Sequence, residues 1–282
     1  MFSFRSRVVA CVVLTAALVG WLQPSAVAQE KKGKVEKKTY EFKEAKKDME
    51  YALFVPGNYD KEKKWPLIIA LHGLGGNPQQ FMRTRGLSEQ AKKRGYIVAA
   101  PMGYNERGWY GVSGPKFGTK GGNDPENLSE LSEKDVMNVL GIVKKDYNID
   151  PDRVYLMGHS MGGGGTVHLG IKFADEWAAL APIAPAIMTH RPTELEKIKT
   201  TPIIMVQGAK DVLVRPERVR PWAEQMKKLE MTYEYIEVPE GDHGSVVGQN
   251  VPKIFDFFDK HKREKKKEEK KDEKKEEKKE EK

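Results

Sequence analysis

The sequence predicts an α/β fold with a mostly parallel central sheet and helices on both of its faces. Short apolar segments alternate with segments of helical periodicity from about residue 40 to residue 261. Several apolar segments are hydrophobic at odd and even positions alike, which is typical of parallel strands that are buried on both faces. We therefore expect ligands to bind on the loops at the carboxyl ends of the strands.

Eight segments of the chain have the character of strands. The first two, around Tyr40 and Phe42 and over Tyr51–Pro56, predict an antiparallel pair at one edge of the sheet. The other six predict the parallel core and are Trp65–Gly73, Tyr96–Pro101, Arg153–Gly158, Trp177–Ala184, Pro202–Gly208 and Tyr233–Pro239.

Five segments between the strands predict helices. They are Pro78–Arg94, Glu133–Asp146, Gly163–Phe173, Arg215–Leu229 and Val247–His261. Ser132 and Asp135 have the spacing of a capping box at the start of the second helix. The connection of residues 184–201 is too short to hold a separate cap domain. Residues 102–128 form a long glycine-rich connection, for which we favour a binding loop over a disordered one.

The two ends of the chain differ in composition from its centre. Arg5 and Arg7 precede an apolar run and Ala26-Val27-Ala28, the order of a secretory signal peptide that is cleaved after Ala28. The alternative is a membrane anchor, for which the run is somewhat short. We expect a signal peptide at 1–28, a charged linker at 29–37, the α/β domain at 38–261 and a charged, disordered tail at 262–282, and hence a secreted or periplasmic protein.

Charge and cysteine content exclude several classes of function. The net charge is +8, but the lysines concentrate at the two ends, so we expect no nucleic-acid partner. A weak electrostatic contact of the tail with the cell envelope is an alternative to a merely solvated tail. The single cysteine, Cys11, lies in the predicted signal peptide, which excludes a disulfide or a cysteine nucleophile in the mature chain. We expect no metal and no cofactor.

The motif Gly158-His159-Ser160-Met161-Gly162 supplies the candidate nucleophile. It follows an apolar strand and opens a helix, the setting in which a sharp turn presents a serine hydroxyl above the sheet. A side chain at either flanking glycine would press on the neighbouring strand or helix. The alternative is a glycine-rich turn that only caps a helix or binds a phosphate.

A serine hydroxyl needs a base, and the base needs a carboxylate. His243 follows the last predicted strand, where a loop can bring its imidazole over Ser160. Asp211 follows the strand before it and gives the chain order Ser, Asp, His. Asp242 is a rival carboxylate, but its position next to His243 makes the Nδ1 side hard to reach. The alternatives are a surface-loop histidine and a turn or helix-cap aspartate.

The oxyanion of an acyl-transfer intermediate needs two donors. The backbone amide of Met161, directly after Ser160, is one candidate. The amide of Leu74, in the sequence LHGLGG after a predicted strand, is the other. The alternative for that loop is a simple tight turn.

The segments PLIIALHGLGG, NIDPDRVYLMGHSMGG, GAKDVLV and GDHG resemble those of α/β-hydrolases. Within that superfamily the sequence resembles the secreted esterases of the polyhydroxybutyrate depolymerase, feruloyl esterase and acetyl xylan esterase group. The resemblance implies Ser160 as nucleophile, Asp211 as acid, His243 as base and the amides of Leu74 and Met161 as the oxyanion hole. It also implies that the loop with Trp109 and Tyr110 lines the substrate cleft.

The resemblance implies a serine esterase that works through an acyl-enzyme. Depolymerases of solid polyester usually carry disulfides and an added binding domain, and their absence from this sequence favours a small soluble ester or a sugar-linked acyl group. Two alternatives remain: a serine peptidase similar to prolyl oligopeptidase, and a non-catalytic binding protein of the same fold.

Overall fold

An eight-stranded sheet forms the centre of the protein in the computed structural model, which describes residues 33–112 and 124–263. The strands are Lys34–Phe42 (β1), Lys47–Val55 (β2), Trp65–Leu71 (β3), Ile97–Pro101 (β4), Ile149–His159 (β5), Ala179–Ile183 (β6), Ile203–Gly208 (β7) and Tyr233–Val238 (β8). Their order across the sheet is β1-β2-β4-β3-β5-β6-β7-β8. Strand β2 pairs antiparallel with both β1 and β4, and the remaining pairs are parallel. The predicted antiparallel edge and parallel core are confirmed.

Helices cover both faces of this sheet. They are Pro78–Met82 (α1), Leu87–Arg94 (α2), Leu128–Asp146 (α3), Met161–Lys172 (α4), Pro216–Lys228 (α5) and Ser245–Lys260 (α6). Apolar residues of α3, α4 and α5 form one core cluster with one face of the sheet, and those of α1, α2 and α6 form a second cluster with the other face. Because side chains alternate along a strand, Ile69 of β3 belongs to the first cluster and Ile68 to the second.

The parallel register brings the ends of β5, β7 and β8 to the same edge of the sheet. Gly158 of β5 lies opposite Pro182 of β6, and Gly208 of β7 lies opposite Val238 of β8. The loops that follow these strands contain the candidate serine, aspartate and histidine. The edge where the sequence predicts a ligand site is therefore the edge where these three loops meet.

Three boundary predictions are wrong. Strand β1 begins at Lys34, inside the predicted linker 29–37, because Lys34 and its neighbours pair with β2 in spite of their charge. The predicted helix 78–94 is two helices, since Gly86 adopts a φ of 85° between them. Ser132 and Asp135 do not form a capping box, because α3 begins at Leu128 and both residues lie inside it.

Two predicted segments lie wholly or largely outside the described residues: the signal peptide at 1–28 and the tail at 262–282, of which only Lys262 and Arg263 are described. Between β6 and β7, the chain forms only a short 3-10 helix, Pro192–Ile198, so this connection holds no cap domain. None of the helices in residues 33–112 and 124–263 is long and apolar enough to cross a membrane.

Candidate active site

Ser160 lies at a sharp turn between β5 and α4. Its φ of 58° and ψ of −115° are left-handed values that a residue with a side chain rarely adopts. A Cβ on Gly158 would lie 2.3 Å from the carbonyl oxygen of Gly162, and a Cβ on Gly162 would lie 2.2 Å from that of Leu71. Both glycines are therefore required for α4 to start this close to the sheet, as the sequence predicts.

His243 and Asp211 form a hydrogen-bonded pair. His243 follows β8, and its Nδ1 lies 2.7 Å from Oδ2 of Asp211, which follows β7. The Asp211 side chain is buried, and its Oδ1 accepts the backbone amides of Leu213 and Val214, each at 2.9 Å. This carboxylate is held in place by its own loop and can in turn fix the orientation and tautomer of the imidazole.

Asp242 is directed away from the His243 ring. Its carboxylate accepts the backbone amides of Gly244 at 3.0 Å and Ser245 at 2.8 Å. These hydrogen bonds lower the pKa of Asp242, with the bond from the Ser245 amide the largest cause. The role of Asp242 is to shape the turn that carries His243.

His159 fixes the backbone of the same loop. Its Nε2 lies 2.7 Å from the carbonyl oxygen of His243, and the two rings are 4.6 Å apart between centroids. Because a carbonyl only accepts, Nε2 of His159 carries the proton of this bond. Burial lowers the pKa of His159 to about 4, so its ring is neutral at physiological pH. His159 is thus a neutral brace for the loop, a role that its position next to Ser160 does not reveal in the sequence.

The two candidate amides of the oxyanion hole belong to the loop after β3 and to the start of α4. In the loop after β3, the amide of Gly75 donates to Glu106 O and that of Gly76 to Gly73 O, whereas the Leu74 amide has no protein acceptor among the described residues. Met161 is the first residue of α4, where helix amides lack an intrahelical acceptor. Both donors remain available for a ligand oxygen.

A cavity of about 580 Å³ opens at the candidate residues. Ser160 and His243 line it together with Leu74, while Trp109, Ile187 and Met188 supply apolar surface. Within the described part of the chain, no hydrogen bond joins Ser160 Oγ to His243. Such catalytic contacts often tighten only when a substrate is bound.

A second, larger groove of about 910 Å³ adjoins this cavity. The two share Gly73, Gly76 and His159 as a common rim. The groove runs between α1 and the start of α6, and its polar lining includes Asn77, Gln80, Thr84, Arg85 and Gln249. The site therefore has one compartment that contains Ser160 and a second, larger compartment beside it.

Trp109 and Tyr110, which are predicted to share a place at the cleft, occupy different positions in the structure. Trp109 lines the smaller cavity, and its buried indole N–H has no acceptor among the described residues. Tyr110 does not line the cleft, which corrects the prediction: it is completely buried and its hydroxyl donates to His72 O at 3.2 Å. Its ring lies so close to Gly165 that a Cβ there would be 2.8 Å from it. Tyr110 is therefore a buried packing residue that joins the loop to His72 and to α4.

Helix α3 holds the loop that carries these aromatic residues. Asp135 Oδ2 accepts the Gly103 amide at 2.6 Å, its Oδ1 accepts the Tyr40 hydroxyl, and Ser132 Oγ accepts the Tyr110 amide at 2.9 Å. Burial raises the pKa of Asp135 to about 6, although these hydrogen bonds act to lower it. Sequence reasoning assigned Ser132 and Asp135 to a helix cap and missed this supporting role.

His72 and the remaining histidines lie outside the candidate chemistry. His72 lies between the carbonyl oxygens of Gly73 and Met102, each 2.8 Å from a ring nitrogen, and so braces two loops as predicted. His168 Nε2 lies 2.8 Å from Glu133, and its Nδ1 lies 2.9 Å from His190 Nε2. Across residues 33–112 and 124–263, no group of three or more histidine, cysteine, aspartate or glutamate side chains is arranged to hold a metal ion.

Comparisons with known proteins show which family the chain belongs to. A family model described as "Putative esterase" matches residues 43–276. A bifunctional acetylxylan esterase/xylanase of Neocallimastix patriciarum is 28% identical over 155 residues, which cover 55% of this chain and 20% of that protein. An S-formylglutathione hydrolase of Rattus norvegicus is 28% identical over 151 residues, which cover 50% of this chain and 53% of that protein. The chain thus spans about half or less of the length of these relatives.

A solved structure extends the likeness to the whole fold. The ferulic acid esterase of Anaeromyces mucronatus in complex with ferulic acid has a TM-score of 0.62 and 19% identity, over 81% of this chain and 90% of that one. The predicted resemblance to feruloyl and acetyl xylan esterases is confirmed, whereas that to polyhydroxybutyrate depolymerases stays a prediction. With a family match over most of its length and an α/β-hydrolase sheet, the chain belongs to the Esterase family of α/β-hydrolases.

Proposed function

We propose that the protein hydrolyses carboxylic esters with Ser160 as nucleophile, His243 as general base and Asp211 as the carboxylate that orients the base. One observation carries the proposal: the His243–Asp211 pair, joined at 2.7 Å, and Ser160 at its strained turn open onto one cavity. The membership of the Esterase family supports the same reaction.

Each residue has a defined part in the reaction. Ser160 Oγ attacks the ester carbonyl while His243 Nε2 accepts its proton, and the amides of Leu74 and Met161 donate to the oxyanion that forms. Collapse of this intermediate releases the alcohol, which takes the proton from His243, and leaves an acyl-serine. A water molecule activated by His243 then releases the acid and frees Ser160.

The two compartments suggest how the substrate lies. The cavity that contains Ser160 surrounds the atom that becomes acylated, so we assign the acyl group to it. The groove beside Gly244 and Ser245 of the His243 loop is assigned to the alcohol, which leaves with the proton from that histidine. A small soluble ester or a sugar-linked acyl group fits this division, and the names of the acetylxylan and ferulic acid esterase relatives support it.

A panel of esters tests the proposal. Acyl length and alcohol are varied separately, with one feruloyl ester and one acetylated sugar, for the wild type and for Ser160→Ala. We expect wild-type hydrolysis, labelling of Ser160 by a fluorophosphonate, and loss of both in the variant at an unchanged melting temperature. Retained hydrolysis in Ser160→Ala would refute the serine mechanism. Faster cleavage of a proline-containing chromogenic peptide than of any ester would replace the esterase by the peptidase.

We further propose that the protein is exported, as the order of residues in the first 28 positions indicates. The amino-terminal sequence of protein recovered outside the cytoplasm tests this proposal. A mature chain that begins at Gln29 supports it, and a chain that keeps Met1 and stays in the cytoplasm contradicts it.

A further inference from the structure

Arg218 is the cationic side chain of the cavity that contains Ser160. It lies in the first turn of α5 and lines the cavity together with the apolar residues Trp109 and Met188. Among the lining residues in the described part of the chain, the other groups that can carry a charge are the imidazoles of His159 and His243, and none is acidic. The Asp211 carboxylate, paired with His243, is buried and does not line the cavity.

The Arg218 guanidinium has no carboxylate partner within residues 33–112 and 124–263. Its neighbour along the helix, Arg220, shows the contrast, since it forms ion pairs with Glu217 and Glu237. Arg94, Arg107 and Arg153 are paired with carboxylates as well. The five N–H donors of Arg218 therefore remain available to a ligand at the mouth of the cavity.

The position of Arg218 makes an anionic ligand favourable. Helix α5 begins at Pro216, and the dipole of the helix places a partial positive charge at this end. A cation in the first turn is unfavourable next to that charge. A bound anion interacts favourably with the guanidinium and with the helix terminus alike.

We propose that Arg218 is a specificity residue that binds a carboxylate at the far end of the acyl group. The preferred substrates would then be half-esters of dicarboxylic acids, with an apolar chain between the reacting carbonyl and the anionic end. The proposal rests on the proposed function, because it is acylation of Ser160 that places the acyl group in this cavity. A bidentate, charge-assisted pair between guanidinium and carboxylate supplies the recognition.

The first experiment compares two esters of matched chain length. Mono-4-nitrophenyl adipate carries a carboxylate on its acyl chain, and 4-nitrophenyl hexanoate carries none. The ratio of their kcat/KM values, corrected for the rate without protein, is measured for the wild type, Arg218→Gln and Arg215→Gln. Arg215 is the matched control because it is exposed on the same helix turn and does not line the cavity. We expect the ratio to fall about tenfold to hundredfold in Arg218→Gln and to stay unchanged in Arg215→Gln.

A second pair of esters places the anion on the alcohol. The ratio of the kcat/KM value for 4-acetoxybenzoate to that for phenyl acetate should be the same in the wild type and in Arg218→Gln. A response of this pair alone would overturn the assignment of Arg218 to the acyl side. An adipate-to-hexanoate ratio that stays unchanged in Arg218→Gln, or that falls equally in Arg215→Gln, would overturn the subsite itself.

A binding measurement separates this proposal from the proposed function. Mono-4-nitrophenyl adipate is titrated calorimetrically into Ser160→Ala and into the double variants that add Arg218→Gln or Arg215→Gln. We expect Kd to rise at least tenfold with Arg218→Gln only, and an equal Kd in all three proteins would refute the subsite. If the wild type hydrolyses none of the esters, the proposed function fails, and this titration still decides whether Arg218 binds the anion.

Discussion

Helix α4 has a histidine and carboxylate cluster near each end, and the two clusters differ in what their ring nitrogens contact. At its amino-terminal end, His243 Nδ1 lies 2.7 Å from Asp211, and the other ring nitrogen has no protein partner among the described residues. Farther along, His168 contacts Glu133 and His190, and His190 Nδ1 lies 3.1 Å from Glu194. In this second cluster every ring nitrogen is occupied.

The comparison shows that a histidine and carboxylate pair is not in itself a catalytic device. Three hydrogen bonds across the rings of His168 and His190 use all four nitrogens and leave none for a substrate, so the cluster can only join α3 and α4 to the 3-10 helix Pro192–Ile198. At His243, which lines the cavity of Ser160, one ring nitrogen has no protein partner among the described residues. A histidine nitrogen without a protein partner, in the same cavity as a serine hydroxyl, distinguishes the candidate active site from the second cluster.

The largest effect on activity is expected from replacement of His243, the proposed general base. Replacement of His243 by alanine should lower kcat by about 10⁴-fold or more, because the Ser160 hydroxyl then has no proton acceptor. The free energy of unfolding should also fall, by about 1–3 kcal/mol, since the buried Asp211 carboxylate loses a hydrogen-bond partner. Steady-state kinetics and calorimetry measure the two effects, and a loss of less than tenfold would mean that another group acts as the base.

A loss of about 10³-fold to 10⁴-fold in kcat is expected for Asp211→Asn, because an amide can donate to Nδ1 and stabilise the wrong tautomer of His243. Glu133→Gln makes the same chemical change at the second cluster and is the matched control. That control should keep kcat within about twofold of the wild type. Equal losses in the two variants would show that the comparison between the clusters is wrong.

A pH titration of stability should reveal the neutral imidazole of His159. The pKa of this group falls from 6.5 to about 4 on folding, so its contribution to stability is intact above pH 6.5 and is lost as the pH falls toward 4. The loss is at most about 3 kcal/mol. Chemical denaturation between pH 7 and pH 4 should show a smaller decrease for His159→Gln than for the wild type, and parallel curves would contradict the assignment.

A smaller change in kcat is expected when His159, which holds the loop of His243 in place, is replaced. His159→Phe removes the donor to His243 O, and the loop that carries the base loses one hydrogen bond, so kcat should fall about threefold to tenfold. His159→Gln keeps an N–H donor and should recover part of this loss. Because His159 acts through the position of His243, kcat should change more than KM, and a change in KM alone would indicate a direct contact with substrate instead.

The smallest change in activity is expected at the second cluster. His168→Gln should leave kcat/KM within about twofold, because this ring contacts no part of the cavity. The free energy of unfolding should fall by about 1–3 kcal/mol, since Glu133 and His190 each lose a buried partner. A strong loss of activity at unchanged stability would mean that the second cluster takes part in the chemistry.

Sequence patterns predicted the parts of the fold that depend on local chemistry. The parallel strands, the turn at Ser160 and the side chains Asp211 and His243 follow from apolar runs, glycine spacing and chain order. The start of β1 was missed because lysines at an open sheet edge look like a linker. The resemblance to known esterases implies Tyr110 at the cleft, whereas close contacts that only the folded chain creates bury this residue.

The supporting residues escaped prediction for a related reason. His159, Ser132 and Asp135 act through backbone groups that are distant in the sequence, and no local pattern marks such contacts. Arg218 escaped because a lone arginine in a charged helix is common, and only the cavity that it lines gives it significance.

The outermost strands of the sheet carry charge along their length. Strand β1 contains Lys34, Lys37 and Lys38 at one edge, and β8 contains Glu234 and Glu237 at the other. An open edge offers unpaired backbone groups to a strand from a neighbouring molecule, and charged side chains along the edge make such pairing costly because they would lose contact with water. The same lysines that hide β1 in the sequence therefore protect the folded protein from intermolecular β-aggregation.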